Sequence, residues 1–482
     1  MDNLTLTITR QGVLADSGDY IKDNTFKKTT KIGDRVFEKT IVSYKHSNLG
    51  ILYARFGVPY KQAAVIQSSI DEPQSRKIKS NIDLYDNQQI VCDHLMQKVF
   101  TPEKKKLGIA SCILVMDTGL GKTYTAGALI ARLGYKTLVV APNKGILNEW
   151  RKMLTNLSLF VGEYHSQKKQ DGDVVLITSK SAIKDKFIFS NKNIIKRPDL
   201  VYGKVSHNEY FGKFGLVIYD EIQNYATDMY QEIFWRTYCV CNLGITATPD
   251  ERLDDFDVIT RRHCGPLVRA NNIPGFCVEA VKWNGKVLAI KYEGSLQHTR
   301  AIENNDGWTQ VPLMLRQFAE DPHRTQLIID KALDLLKRFL NVFIFVEHRS
   351  FIDELKGKIE AATKLEVGTL LGGVSQDHYA KAIEKSIIII TYSFGKEGIS
   401  IPKMNAIIFA HPRRNKMRQI LGRILRATAD ADNNSITREI IDIIDQRTSI
   451  RSQFADRKKI YEEKGFTIDT CVVKYHSIVL QE

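Results

Sequence analysis

The chain has 482 residues, 43% hydrophobic and 26% charged, with 69 Lys and Arg against 55 Asp and Glu for a formal net charge of +14. That length sets an expectation of two to four domains, and the composition excludes a disordered or collagenous chain. The basic excess suits a polyanionic partner, although over so long a chain it serves solubility equally well.

Residues 1 to 80 read as a small strand-rich accessory domain. Val36-Phe37, Thr40 to Tyr44 and Gly50 to Phe56 are strand candidates, Gly33-Asp34 and Ser47-Asn48 supply turns, and Asp71 to Arg76 reads as a linker. From residue 81 to 255 short apolar runs alternate with amphipathic stretches. The runs are Ser111 to Met116, Lys136 to Ala141, Val174 to Ile177, Leu216 to Tyr219 and Asn242 to Thr246, with a helix expected over Thr123 to Leu133. Such alternation predicts a parallel sheet covered on both faces. From 256 to 482 the theme repeats with Val342 to Val346, Ile387 to Thr391, Ala406 to Phe409 and Ile440 to Ile444. Helices are expected over Ala332 to Phe339 and Tyr379 to Glu384 between these strands, and this second α/β domain has no phosphate loop.

The seven cysteines offer one close pair, Cys239 and Cys241, and no second pair to complete a zinc site. Their odd number, and a start (Met1 to Leu4) without a basic then apolar leader, predict a reducing intracellular compartment. His263-Cys264 reads as an ordinary surface or loop pair, and no run approaches the eighteen or so apolar residues of a membrane span.

Four segments carry chemistry. Thr118-Gly119-Leu120-Gly121-Lys122-Thr123 sits between a buried strand and a helix, where backbone N–H groups and the positive helix end cradle phosphates. Lys122 is placed to neutralise the β- and γ-phosphates and Thr123 to give its hydroxyl to Mg2+. Met116 stands where the full pattern has its first glycine. Asp220-Glu221 ends a later strand: Asp220 suits a magnesium ligand and Glu221 a base for water, against the bland reading of a solvated turn. Thr246-Ala247-Thr248 ends the next strand and is a candidate for coupling ATP to movement. Gln419 to Arg426 holds Arg423 and Arg426, which share one face of a continuous helix. They suit charge stabilisation at a transferred phosphoryl group, or, with Arg413, Arg414, Lys416 and Arg418, a basic patch on nucleic-acid phosphates.

In this order the segments resemble the motifs of superfamily 2 helicases over residues 82 to 445. The closest look is to the branch of XPB and phage recombination helicases, and closer still to the transcript-release helicase of poxviruses and related large DNA viruses. The resemblance implies two tandem RecA-like P-loop NTPase domains after the strand-rich N-terminal domain. It places Gln88 on the adenine base and Thr118 to Tyr124 around the phosphates, including Tyr124. It makes Gln419, Arg423 and Arg426 part of the γ-phosphate machinery, and Gln223, Thr246 and Thr248 coupling residues. Asn143, Lys144, Thr178, Arg349 and Thr391 become nucleic-acid contacts. Ser400 stands where the family usually has Asp, and Gln223 where many members have His or Asp. Implied with them are ATP and Mg2+ as cofactors and a DNA-dependent ATPase with 3′ to 5′ polarity in viral transcription termination and elongation. RNA is the alternative track, and a double-strand translocase or a scaffold with a dead site are the competing classes. RNA polymerase or transcription factors are implied partners, with no membrane, and the host cytoplasm or the virion the implied location.

Overall fold

The computed structural model describes residues 5–475 apart from 33–34, 61–62, 64, 71–72, 74, 76–77, 79–80, 118, 155–158, 191–196, 198, 250–254, 278–283, 306–308, 339, 396–400, 414–416 and 426–436. The chain divides into two compact units, Met1–Val278 and Glu279–Glu482.

The first unit opens with β1 (Thr5–Ile8), β2 (Val13–Ala15), β3 (Thr25–Ile32), β4 (Arg35–Val42), β5 (Tyr44–Ser47), β6 (Gly50–Tyr53) and β7 (Val65–Ser68). Five of them form a sheet in the order β5-β6-β2-β1-β7, and β3 and β4 form a hairpin of their own. Leu6, Ile8, Val13 and Tyr53 enter the same core as Val91, Leu95 and Cys112. The N-terminal block therefore shares its hydrophobic core with the α/β domain that follows, and part of its stability comes from that domain.

That α/β domain holds β8 (Ala110–Val115), β9 (Thr137–Ala141), β10 (Val161–Tyr164), β11 (Lys169–Gln170), β12 (Val174–Thr178), a side hairpin of β13 (Lys186–Phe189) and β14 (Gly203–Ser206), then β15 (Leu216–Asp220), β16 (Cys241–Thr246) and β17 (Leu267–Arg269). The sheet order is β11-β10-β12-β9-β15-β16-β8-β17. Every neighbouring pair is parallel except β10 with the short edge strand β11. β8, β9, β15 and β16 are buried along their whole length, which is why each reads as a mostly apolar run. β17 pairs with β8, so the first domain extends beyond the expected end at residue 255.

The second unit holds β18 (Gly285–Glu293), β19 (Val342–Val346), β20 (Val367–Leu370), β21 (Ile387–Thr391), β22 (Ala406–Phe409), β23 (Arg438–Asp445) and β24 (Thr467–Lys474). All run parallel in the order β20-β21-β19-β22-β23-β18-β24. Two buried ion pairs fasten the end of β23. Arg457 makes two 2.8 Å bonds to Asp442, which also accepts from the Tyr461 hydroxyl, and Arg324 pairs with Asp445. Arg457 also donates to the Arg413 carbonyl and Arg324 to that of Ala410. These bonds fix the backbone at 410 and 413, just ahead of the Gln419 segment. Removing one partner of such a pair costs about 3–5 kcal/mol, because the other charge stays buried.

His263-Cys264 is not a surface pair. Both residues are buried at the end of the helix Val258–Cys264. The His263 ring stacks on Phe234 at 4.8 Å and meets Trp235 edge-on, and Ser111 Oγ donates to the Cys264 carbonyl. Burial lowers the His263 pKa to about 3 and that of His165 to about 4. Between those values and the ordinary value of about 6.5 the unfolded chain binds protons that the folded chain does not. Stability is therefore expected to fall as pH drops below 6.5, by up to about 1.4 kcal/mol per pH unit for the fully buried His263. Denaturant melts of the wild type and of His263→Gln at pH 7, 6 and 5 check this, and an equally steep pH slope in the variant refutes it.

Candidate active site

The carboxyl ends of β8, β16, β15 and β9 lie side by side, and a ligand site in an open α/β sheet is built at that edge. From β8 the chain passes through Met116 and Asp117 to Gly119 and Gly121, then into the helix Lys122–Leu133. Gly119 and Gly121 hold φ of 91° and 84°, a region that costs other residues strain. A Cβ on Gly121 would also lie 2.1 Å from the Gln88 amide nitrogen. That amide grips the loop: Gln88 Nε2 donates to the Leu120 carbonyl at 3.1 Å, and its Oε1 accepts from Tyr85 N at 3.2 Å. Gln88 thus supports the turn directly. Lys122 Nζ reaches back to the Asp117 carbonyl at 3.4 Å, Thr123 is partly exposed, and Tyr124 is 45% exposed. Thr118 lies outside the described residues.

Asp220 ends β15, almost fully buried. Trp150 Nε1 donates to its Oδ2 at 2.7 Å and Glu221 N to its Oδ1 at 2.8 Å. Burial raises the Asp220 pKa and the Glu221 charge adds to it; the Trp150 hydrogen bond and Lys122 oppose them. Glu221 stands in the left-handed region at φ 50°, ψ 50°. For a non-glycine residue that strain persists only where the surroundings impose it, and such residues cluster at functional sites. Gln223 Nε2 donates to Glu221 Oε2, and the Tyr225 hydroxyl bridges the carbonyls of Val140 and Asp220. Thr246 and Thr248 are buried, with Thr248 N on Thr246 Oγ1 at 3.0 Å, and Met116 N bonds the Thr246 carbonyl. The phosphate-loop strand and the Thr246 segment are therefore locked together by backbone.

Trp150 and Tyr225 were not legible as site residues. A tryptophan on the amphipathic helix Lys144–Leu154 reads as core, and only the fold brings it to Asp220. On the same edge, Asn143 Oδ1 caps that helix through Ile146 N, Lys144 Nζ bonds Gln167 Oε1, and Thr178 Oγ1 bonds Ser181 Oγ.

In the second unit Arg349 donates to the Gly372 carbonyl at the surface. Thr391 is 2% exposed, its hydroxyl bonded to Ser393 Oγ and accepting from Phe394 N, which leaves little of it for a nucleic-acid contact. The continuous helix expected across Gln419 to Arg426 is not present. The helix is Met417–Leu421, and 3.0 Å bonds from Arg423 N to the Ile420 carbonyl and from Ile424 N to that of Leu421 tighten the chain into turns after it. Gln419 and Arg423 are buried, and Arg423 Nε donates to the Gly395 carbonyl. Arg413 and Arg418 pair with Glu347 and Glu463, which weakens the reading of a basic patch there. Arg414, Lys416, Ser400 and Arg426 lie outside the described residues.

The family described as "Type III restriction enzyme, res subunit" matches residues 81–251, and "Helicase conserved C-terminal domain" matches residues 327–428. The "Putative ATP-dependent RNA helicase QP509L" of African swine fever virus is 31% identical over 420 residues, 83% of this chain and 76% of its own length. The chain belongs to the superfamily 2 helicases. This helicase is also similar to the "Transcript termination protein A18" of fowlpox virus, at 24% identity over 78% of this chain and 79% of that one. Among solved structures, a Type ISP restriction-modification enzyme, LlaBIII, bound to DNA shares the fold with a TM-score of 0.55 at 14% identity, over 81% of this chain and 31% of that one. The two α/β sheets are its two RecA-like helicase domains, and helicase domains of this kind use ATP. None of the described helices is long and apolar enough to cross a membrane.

Proposed function

We propose that this helicase hydrolyses ATP to move on DNA, and that it acts in viral transcription, at termination and transcript release. The observation that carries the chemistry is Asp220-Glu221 at the end of β15, one strand from β16 and two from the phosphate loop, with Glu221 in the left-handed conformation. In this reading Gly119, Leu120, Gly121 and Tyr124 surround the nucleotide and Lys122 neutralises its phosphates. Glu221 orients and deprotonates the attacking water, while Gln223 holds the carboxylate in place. Arg423, Arg426 and Gln419 act on the γ-phosphate.

Mg2+ fits a pair of donors, the Thr123 hydroxyl and Asp220, whose oxygens each keep a lone pair beyond the bonds they accept. It would hold the phosphates and neutralise charge developing on them. The described residues contain no cluster of three or more His, Cys, Asp or Glu that could hold a metal by itself.

Asn143, Lys144, Thr178 and Arg349 are proposed as phosphate contacts, and Thr391 is dropped from that set because it is buried. Affinity for nucleic acid is then expected to fall steeply with salt, by about 0.9 log units per log unit of salt for each phosphate neutralised on B-form DNA. Titrations from 50 to 200 mM salt measure this, and a flat dependence refutes a phosphate track. The name of the African swine fever virus relative favours RNA as a second reading. ATPase rates with no nucleic acid, single-stranded DNA, duplex DNA and RNA decide between the tracks. Strand displacement beside triplex displacement separates unwinding from translocation on duplex. An RNA polymerase or transcription factor as partner, and a reducing compartment such as the host cytoplasm, complete the proposal.

A further inference from the structure

The helicase domains assign no role to the hairpin of β3 and β4. Its strands pair at eight positions, from Thr25 with Val42 to Ile32 with Arg35, which at about 3.4 Å per residue makes a ribbon about 27 Å long. It carries five basic residues, Lys27, Lys28, Lys31, Arg35 and Lys39, against Asp34 and Glu38. Side chains alternate between its two faces.

At the base, one face is turned to the α/β domain. Phe26 and Ile41 pack with Ala226, Phe256 and Ile259. Lys28 Nζ pairs with Asp255 at 2.6 Å, and Lys39 Nζ lies 4.9 Å from the centre of the Phe256 ring. An isolated two-stranded ribbon is at best marginally stable in water. This packing holds the base of the hairpin on the segments that follow Glu221 and Thr248. The register sets Thr25, Lys27 and Thr29 on the opposite face, beside Glu38, Thr40 and Val42. Lys27, Thr29 and Thr40 are exposed there. Lys27 and Glu38 pair at 3.2 Å with both side chains more than half exposed, and a contact of that kind yields readily to a phosphate.

We propose that this hairpin is an arm for B-form duplex DNA, with Lys27, Thr29 and Thr40 set against the phosphates that line the major groove. Ammonium and hydroxyl groups are the side chains that make such contacts. A two-stranded ribbon fits a groove about 12 Å wide, whereas the major groove of A-form RNA is too narrow for it. The inference rests on the nucleic-acid-dependent reading of the protein and adds to it both a place and a preference for duplex DNA.

The test is binding by the full chain to a short blunt DNA duplex, the same sequence as duplex RNA, and single-stranded DNA, across a salt series. Lys27→Ala should lower duplex-DNA affinity and reduce the log–log salt slope by about 0.9, the share of one phosphate that is no longer neutralised. Lys27→Arg should restore both, with thermal melting read alongside. Wild-type binding to duplex DNA that Lys27→Ala leaves unchanged overturns the inference alone. An equal loss on duplex RNA or on single strands overturns the groove assignment. A wild type that binds no nucleic acid overturns the functional reading, and the inference with it.

Discussion

Glu221→Gln should bind ATP nearly as the wild type does and lose hydrolysis by roughly 10²- to 10⁴-fold, the usual share of a general base. The substitution keeps the volume and a hydrogen bond toward Gln223, and removes the charge that activates water. It also relieves part of the pressure on Asp220, whose pKa the Glu221 charge helps to raise. Nucleotide affinity should therefore not fall. Fluorescent-nucleotide binding beside single-turnover hydrolysis measures both quantities. Turnover within a few-fold of wild type would remove Glu221 from the chemistry and leave the Asp220 edge as a structural turn.

Arg426→Ala should leave DNA affinity close to wild type and lower turnover at saturating DNA by about 10²-fold or more, as other arginines acting on a transferred phosphoryl group do. Arginine suits the task because it stays charged and presents a rigid fork of donors. If Arg426 instead gripped the nucleic-acid backbone, adding DNA would restore the rate, and that recovery would refute the assignment. Arg423 gives the internal contrast. Its guanidinium is buried and donates to the Gly395 carbonyl, so Arg423→Ala should lose stability as well, by about 1–3 kcal/mol for the acceptor left unsatisfied. Melting curves of the two variants separate an arginine that acts on ATP from one that also holds the chain in place.

The sequence alone determined the two α/β domains and the place of the phosphate loop, and the reason lies in burial. A parallel strand covered on both faces has to be apolar throughout, so β8, β9, β15, β19, β21 and β22 stand out as runs with predictable ends. The residues at and after those ends fall along one edge of the sheet by topology, which is why Lys122, Asp220, Glu221 and Thr246 could be placed near one another without coordinates. β18 and β24 were not legible. β18 mixes Lys286, Lys291 and Glu293 among its apolar positions, and β24 is only partly buried. Strands of that kind are recognised only by their partners.

What the tertiary structure decided were matters of proximity between residues far apart in the chain. Trp150 reaches Asp220 across seventy residues, and Gln88 reaches under Gly121 to hold the phosphate loop. His263 is buried by stacking on Phe234, and Thr391 is taken from solvent at the end of β21. The same holds for the N-terminal strands, which read as a domain of their own yet place Leu6, Ile8 and Tyr53 in the core of the ATP-binding domain. Local pattern reports which face of an element is apolar. It carries no information on which surface will cover that face, because the contact energy depends on the shape and position of a partner elsewhere in the chain.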